Sequence, residues 1–214
     1  MEKKYELTSE TIQVYNHTLH RIKALRDFGD VKAGVLGGWV ESKDNLSQED
    51  NCWIYDEAKV YGDAIVCGNA KVCDNAKVCD NAEVYGNAIV YGDAKVCDNA
   101  IVCGNAKVYG NAIVYGNAKV YGNAIVCGNA KVYGDAIIKA TSDYIVFKNW
   151  WSSGRYFTWT RSNNMWRVGC FFGTSQKLVD KAFLDSKVSG REYQRIVNYV
   201  QDILGLPHIK PTNS

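Results

Sequence analysis

The chain has 214 residues, with 25 Lys and Arg against 23 Asp and Glu, a formal net charge of +2. That balance excludes a global nucleic-acid footprint and an acidic DNA mimic. Met1-Glu2-Lys3-Lys4 leads into no apolar run, and no stretch is long and apolar enough to span a bilayer; the expectation is a cytoplasmic protein with no membrane partner.

Residues 1–33 read as an N-terminal β cap. Thr11-Ile-Gln-Val-Tyr15 alternates like a strand, Asn16-His17 is a turn, and Leu19, Ile22 and Leu25 give the returning segment its apolar side. Such an element would close the open end of a neighbouring solenoid. Residues 34–57 read as an irregular first coil. Counting back in sixes places Leu36, Val40, Leu46, Cys52 and Ile54 on inward slots, with Ser42 and Gln48 as poor fits.

From Ala58 to Thr141 the sequence repeats Ala-x-Val-(Tyr/Cys)-(Gly/Asp)-(Asn/Asp). Thirteen such hexads run unbroken to Asp135, and AIIKAT is a degraded fourteenth. A short fixed period means a solenoid. Alanine and valine share strand parity, so Val60, Val66, each later valine to Val132, and then Ile138 should point inward beside their alanines. The Lys/Ile/Glu and Tyr/Cys slots should point outward, and the last two slots should turn corners at positive φ. Three hexads close a lap of eighteen residues, so fourteen make between four and five coils. Asn or Asp at every regular corner suggests side-chain ladders. The pattern resembles the hexapeptide-repeat proteins with a left-handed parallel β-helix; the handedness comes from that resemblance. The phrase GGWVESKDNLSQEDNCWIYDEA, with the hexads and the tail after them, is similar to a group of uncharacterised proteins from phages and prophages of Gram-positive bacteria.

After Thr141 the composition turns aromatic. Residues 142–214 read as a small α+β domain: a strand at 144–150, a hairpin of 155–161 and 165–171, and two helices. The first helix, about 175–187, presents Leu178, Val179, Ala182 and Phe183. The second has Ser189 as N-cap with Glu192 three later, and an apolar face running from Tyr193 to Leu204. The tail beyond Gly205 and Pro207 reads as loose.

The overall expectation is a mainly β protein without cofactor, metal or catalytic residues. Hexapeptide-repeat acyltransferases resemble one another in using a histidine near a coil edge; here the three histidines, His17, His20 and His208, all lie outside the hexads. Six cysteines fill the slot that tyrosine fills elsewhere. Only Cys79 and Cys97, eighteen apart, should stack on adjacent coils. Reduced thiols are the favoured reading, with a metal site or a regulatory disulfide at that pair as the alternative.

Three surfaces are candidates for binding. Sorting by eighteen stacks Lys59, Lys77, Lys95 and Lys131 into a basic face, an anion site or a solvated strand face. A second column holds Ile65, Ile101 and Ile137 beside Tyr85 and Tyr121, an oligomer face suited to a homotrimer. A three-residue hairpin loop would set Trp159 opposite Arg167 and Arg155 opposite Phe171. Arg155, Phe157, Trp159, Arg161, Arg167 and Phe171 would then share an exposed side, with Lys148 near, as a site for a nucleotide-class small molecule. The uncharged face of the hairpin would pack on the helices. The resemblance to phage proteins implies a non-catalytic binder in the host cytoplasm, a counter-defence protein that sequesters a nucleotide signal or blocks a host defence protein through its flanks. An acyltransferase-like enzyme is the further alternative, and nucleic acid is a weak partner candidate.

Overall fold

The computed structural model describes residues 3–212. The chain divides into two compact units, Met1–Asp143 and Tyr144–Ser214.

The first unit is a parallel β-solenoid. Each hexad gives a two-residue strand and a corner, and three strand stacks result. One stack contains Lys59–Val60, Lys77–Val78, Lys95–Val96, Ile113–Val114 and Lys131–Val132. Every alanine from Ala58 to Ala136, every valine from Val60 to Val132, and Ile138 have no solvent exposure. Burying each valine contributes roughly 1.5–3 kcal/mol before chain entropy is subtracted. The fifth slot carries positive φ whether it is glycine (Gly86, +69°) or aspartate (Asp80, +59°). Glycine there also lets coils approach, since a Cβ on Gly104 would stand 3.0 Å from the Gly122 nitrogen. The sixth slot forms ladders: Asn69, Asn87 and Asn105 each donate to the next asparagine up, at 3.0–3.1 Å.

The solenoid begins earlier than the hexads. The strand Leu36–Val40 pairs in parallel with Lys59–Val60, and Trp53–Ile54 pairs with Lys71–Val72. One face therefore carries six parallel strands, more than the hexad count implies. Val40, Leu46, Cys52 and Ile54 are fully buried, whereas Leu36 is 50% exposed: it pairs with Lys23 of the hairpin, ahead of the positions that pair with Lys59–Val60. The poor-fit positions are resolved with polar groups. Ser42 caps a 3-10 turn, Lys43–Asn45. Asn45 reaches inward and donates to the carbonyls of Gly62 and Ala64, both at 2.9 Å. Gln48 accepts from the Lys4 backbone at 2.8 Å.

Strands β1 (Tyr5–Val14) and β2 (His17–Ala24) form an antiparallel hairpin that extends the lysine-bearing stack through β3 (Leu36–Val40). Leu19 and Ile22 are buried, while Leu25 is 38% exposed. The hairpin does more than close an end. Leu19, Ile12 and Val14 pack on Trp39, Tyr61, Cys79 and Cys97, so Tyr61 and Cys79 point out of the coil yet are only 6% exposed. Lys4 is buried and donates from Nζ to the carbonyls of Glu49 and Cys52 at 2.9 and 3.1 Å.

In the second unit, Tyr144–Lys148, Tyr156–Thr160, Met165–Val168 and Phe171–Gly173 form an antiparallel sheet in that order. Its last strand breaks what reads from sequence as one longer strand. Helix α1 (Ser175–Asp185) is capped by Thr174, and helix α2 (Lys187–Leu204) by Ser186, three residues ahead of the expected Ser189. Ser189 instead donates its N–H to the Ser186 hydroxyl at 3.0 Å. Gly190 lets the helices meet, since a Cβ there would lie 2.4 Å from the Phe183 ring. The described tail is tied down rather than loose: Ile209 bonds Asn198 and Gln194, and the Thr212 N–H donates to Asp180.

Candidate functional site

The expected aromatic–arginine site is not assembled. Thr160 pairs with Met165, so the hairpin loop has four residues, 161–164, and Trp159 lies opposite Trp166 instead of Arg167. Asn163 and Asn164 hold that loop: Asn164 (φ +50°) accepts from the Trp159 indole at 2.9 Å, and Asn163 accepts from Thr160. The extra residue switches the parity of one strand. Phe157 and Trp159 are consequently core, packed with Trp166, Val168, Leu178 and Val197. Arg167, opposite Thr158, lies on the reverse face and donates to the Cys170 carbonyl at 3.1 Å. Arg161 is exposed at the turn, and Lys148 sits 5.9 Å from the Tyr156 ring centroid. Of the expected site residues, Arg155 and Phe171 line one cavity of about 110 Å³, shared with Asp185 and Tyr193. Small-molecule sites typically occupy about 300–1,000 Å³. That cavity is too small for a nucleotide.

The solenoid carries a larger depression. A groove of about 530 Å³ runs along the first stack, lined by Lys59, Lys77, Lys95 and Ile113 with Asn75, Asp93 and Asn111 from the preceding corners. Lys59 pairs with Lys77 and Lys77 with Lys95 in register, which spaces the lysine stems by about 4.8 Å. Lys59 donates to the Glu57 carbonyl at 2.8 Å, and burial holds its ammonium below the usual lysine range. Lys131 belongs to the same stack beyond Ile113 and does not line the groove. Ile65, Ile101 and Ile137 likewise stack in register with Glu83 and Lys119 between them. Ile65 and Ile137 are 43% and 37% exposed. Tyr85 and Tyr121 flank them, half-buried.

A third constellation gathers on the flank under the hairpin, with little sign of it in the sequence. His17 comes from outside the repeat, but β2 brings its ring to 5.1 Å from the Tyr61 ring. Its Nδ1 lies 2.9 Å from Glu41 Oε2, which also accepts the Gly62 N–H at 2.8 Å. Burial would raise the Glu41 carboxyl, but His17 and the Gly62 N–H outweigh it and hold it below the usual range. In the same column the Cys79 thiol donates to Cys97 Sγ at 2.8 Å and also approaches Asp80 Oδ2 at 3.4 Å. The bond between the two thiols raises the pKa of Cys79 and lowers that of Cys97. The signal that could have found this flank was the eighteen-residue spacing of Cys79 and Cys97. His17 had no such signal, because its placement depends on how the hairpin curls.

Comparisons with known proteins reach the repeat. Residues 106–121 match the family described as YdcK beta solenoid repeat. A 40-residue stretch is 52% identical to the "Uncharacterized acetyltransferase YdcK" of Escherichia coli (strain K12), covering 19% of this chain and 12% of that protein. No described helix is long and apolar enough to cross a membrane.

Proposed function

We propose that the protein is a binding scaffold whose lysine groove grips a phosphate-bearing small molecule of the nucleotide class. The observation that carries this reading is the in-register stack of Lys59, Lys77 and Lys95 along a groove of about 530 Å³. Three lysines and one aspartate line it, so the groove is net positive. Lysine engages phosphate as a point charge, and a row of them suits a chain of phosphates better than a single one. A ligand bound only to the folded state raises the melting temperature by mass action. The test is therefore thermal melting with inorganic tripolyphosphate and nucleoside triphosphates, at low and at high salt. Stabilisation should appear at low salt, fade at high salt, and be lost in the K77E/K95E double variant. No shift with any of these probes would end this reading. A counter-defence role, implied by the resemblance to phage-borne proteins, would be one use of such a grip; loss of protection from host defence in phage carrying K77E/K95E would test it.

A second reading, acyl transfer, is favoured by the His17–Glu41 pair and by the name of the partial relative. A carboxylate on Nδ1 leaves Nε2 as the basic nitrogen, the arrangement of a general base. His17 would take the proton from an acceptor amine or hydroxyl as it attacks the thioester carbonyl, and the coenzyme thiolate would leave. Against it, His17 does not line the lysine groove. Release of free thiol from acetyl-coenzyme A across an acceptor panel, lost in His17→Ala, would establish it; no release with any acceptor would exclude it.

A further inference from the structure

We propose that Cys79, Cys97 and Asp80 form a binding site for a thiophilic divalent cation of the zinc class. The three donor atoms lie within 4.8 Å of one another. Around a tetrahedral zinc ion, ligand lengths of about 2.3 Å to sulfur and 2.0–2.2 Å to oxygen set sulfur and oxygen about 3.5 Å apart. Cys79 Sγ and Asp80 Oδ2 already stand at 3.4 Å. The two sulfurs, at 2.8 Å, would need to open by about 1 Å, which a small side-chain rotation on parallel strands allows.

The repeat makes this step different from its neighbours. Val78 and Val96 pair directly, so the residues after them stack. At every other cysteine of the hexads the stacked position one coil away is tyrosine: Tyr85 for Cys67 and Cys103, Tyr91 for Cys73, Tyr109 for Cys127. Here alone two sulfurs meet with an acidic corner beside them. Asp80 sits at a corner with φ +59°, and its Oδ2 is steadied by the Asp98 N–H at 3.2 Å. Ile12, Val14 and Leu19 cover the column from outside, and Cys79 is only 6% exposed. A sheltered site of low dielectric strengthens a dithiolate's hold on a dication. Three protein ligands leave a fourth position, which a water would complete.

The experiment is titration of the fully reduced full-length protein with cobalt(II), followed by zinc(II) competition. One cobalt per chain should bind, with a thiolate-to-cobalt charge-transfer band that zinc abolishes. The band should vanish in Cys79→Ser and Cys97→Ser and persist in Cys127→Ser. Asp80→Asn, which tolerates the same backbone, should weaken binding about tenfold. Circular dichroism melts of each variant separate loss of the site from loss of the fold. No band in the reduced wild-type protein, or a band that survives Cys97→Ser in a folded variant, overturns the proposal. So does a Cys79–Cys97 disulfide in unreduced protein whose reduced form takes no cobalt.

Discussion

His17 Nδ1 lies 2.9 Å from Glu41 Oε2, and through that contact the N-terminal hairpin is tied to the outside of the coil. The same oxygen accepts the Gly62 N–H, so one carboxylate holds two segments. Its pKa is lowered in the folded state. A carboxyl depressed on folding adds stability that is complete above its unfolded value, about 4.3, and is lost as pH falls through the folded value. Glu41→Gln should cost about 1 kcal/mol at pH 7, since both partners are a third exposed. The cost should shrink towards zero below about pH 4. Thermal unfolding at pH 7 and pH 3 checks this; an equal penalty at both would place the effect elsewhere.

The asparagine ladder makes a sharper prediction about the corners. Asn105 accepts from Asn87 and donates to Asn123. Asn105→Ala removes both bonds, and about 1–2 kcal/mol should be lost for two exposed amide bonds. Asn105→Asp keeps the acceptor but turns a second acceptor towards Asn123, so it should cost more than half as much. Denaturant unfolding of the two variants distinguishes a working ladder from solvated corners, for which both values would be near zero.

The repeat was legible because periodicity sets every inward side chain at once: Ala58 to Ile138 follow from one rule. Cys79 above Cys97 followed from the same count. The C-terminal hairpin was not legible, because its face assignment rests on one number, the loop length. Asn163 and Asn164 both stay in the loop, so Trp159 meets Trp166 and the apparent site dissolves into core. Ser186 and Ser189 are both good caps three residues apart, and local sequence does not choose between them. Neither the burial of Lys4 nor the pairing of His17 with Glu41 was legible, because both depend on contacts with residues 24–48 positions away.

Buried and half-buried thiols and phenols give the fold an alkaline limit. Burial, then the nearby Asp74 and Asp56 carboxylates, push the Cys73 thiol up from 9.0 to about 11. Burial likewise raises Tyr5 and Tyr55. A group raised on folding and neutral when protonated contributes stability present below its unfolded pKa and lost as pH climbs through its folded one. Melting temperature should therefore fall as pH rises from about 9 to about 11. Cys73→Ala should flatten that fall over the same window while lowering stability at pH 7 slightly. A melting temperature that is constant to about pH 11 would contradict the placement of these groups.

The isoleucine column predicts self-association. Ile65, Ile101 and Ile137 stand on alternate strands of one stack, and the two outer ones are more than a third exposed. Exposed apolar side chains scattered singly need no partner, but a row on a rigid face is what a flank-to-flank contact between copies uses. Glu83 and Lys119 lie between the isoleucines, so the column is mixed rather than wholly apolar. Light scattering coupled to size exclusion should give a mass near three chains for the wild type. Ile101→Asp, which places a charge at the centre of the column without touching the buried alanines and valines, should give single chains with an unchanged far-ultraviolet spectrum. A wild-type mass of one chain at high protein concentration would show that the column is only a solvated face.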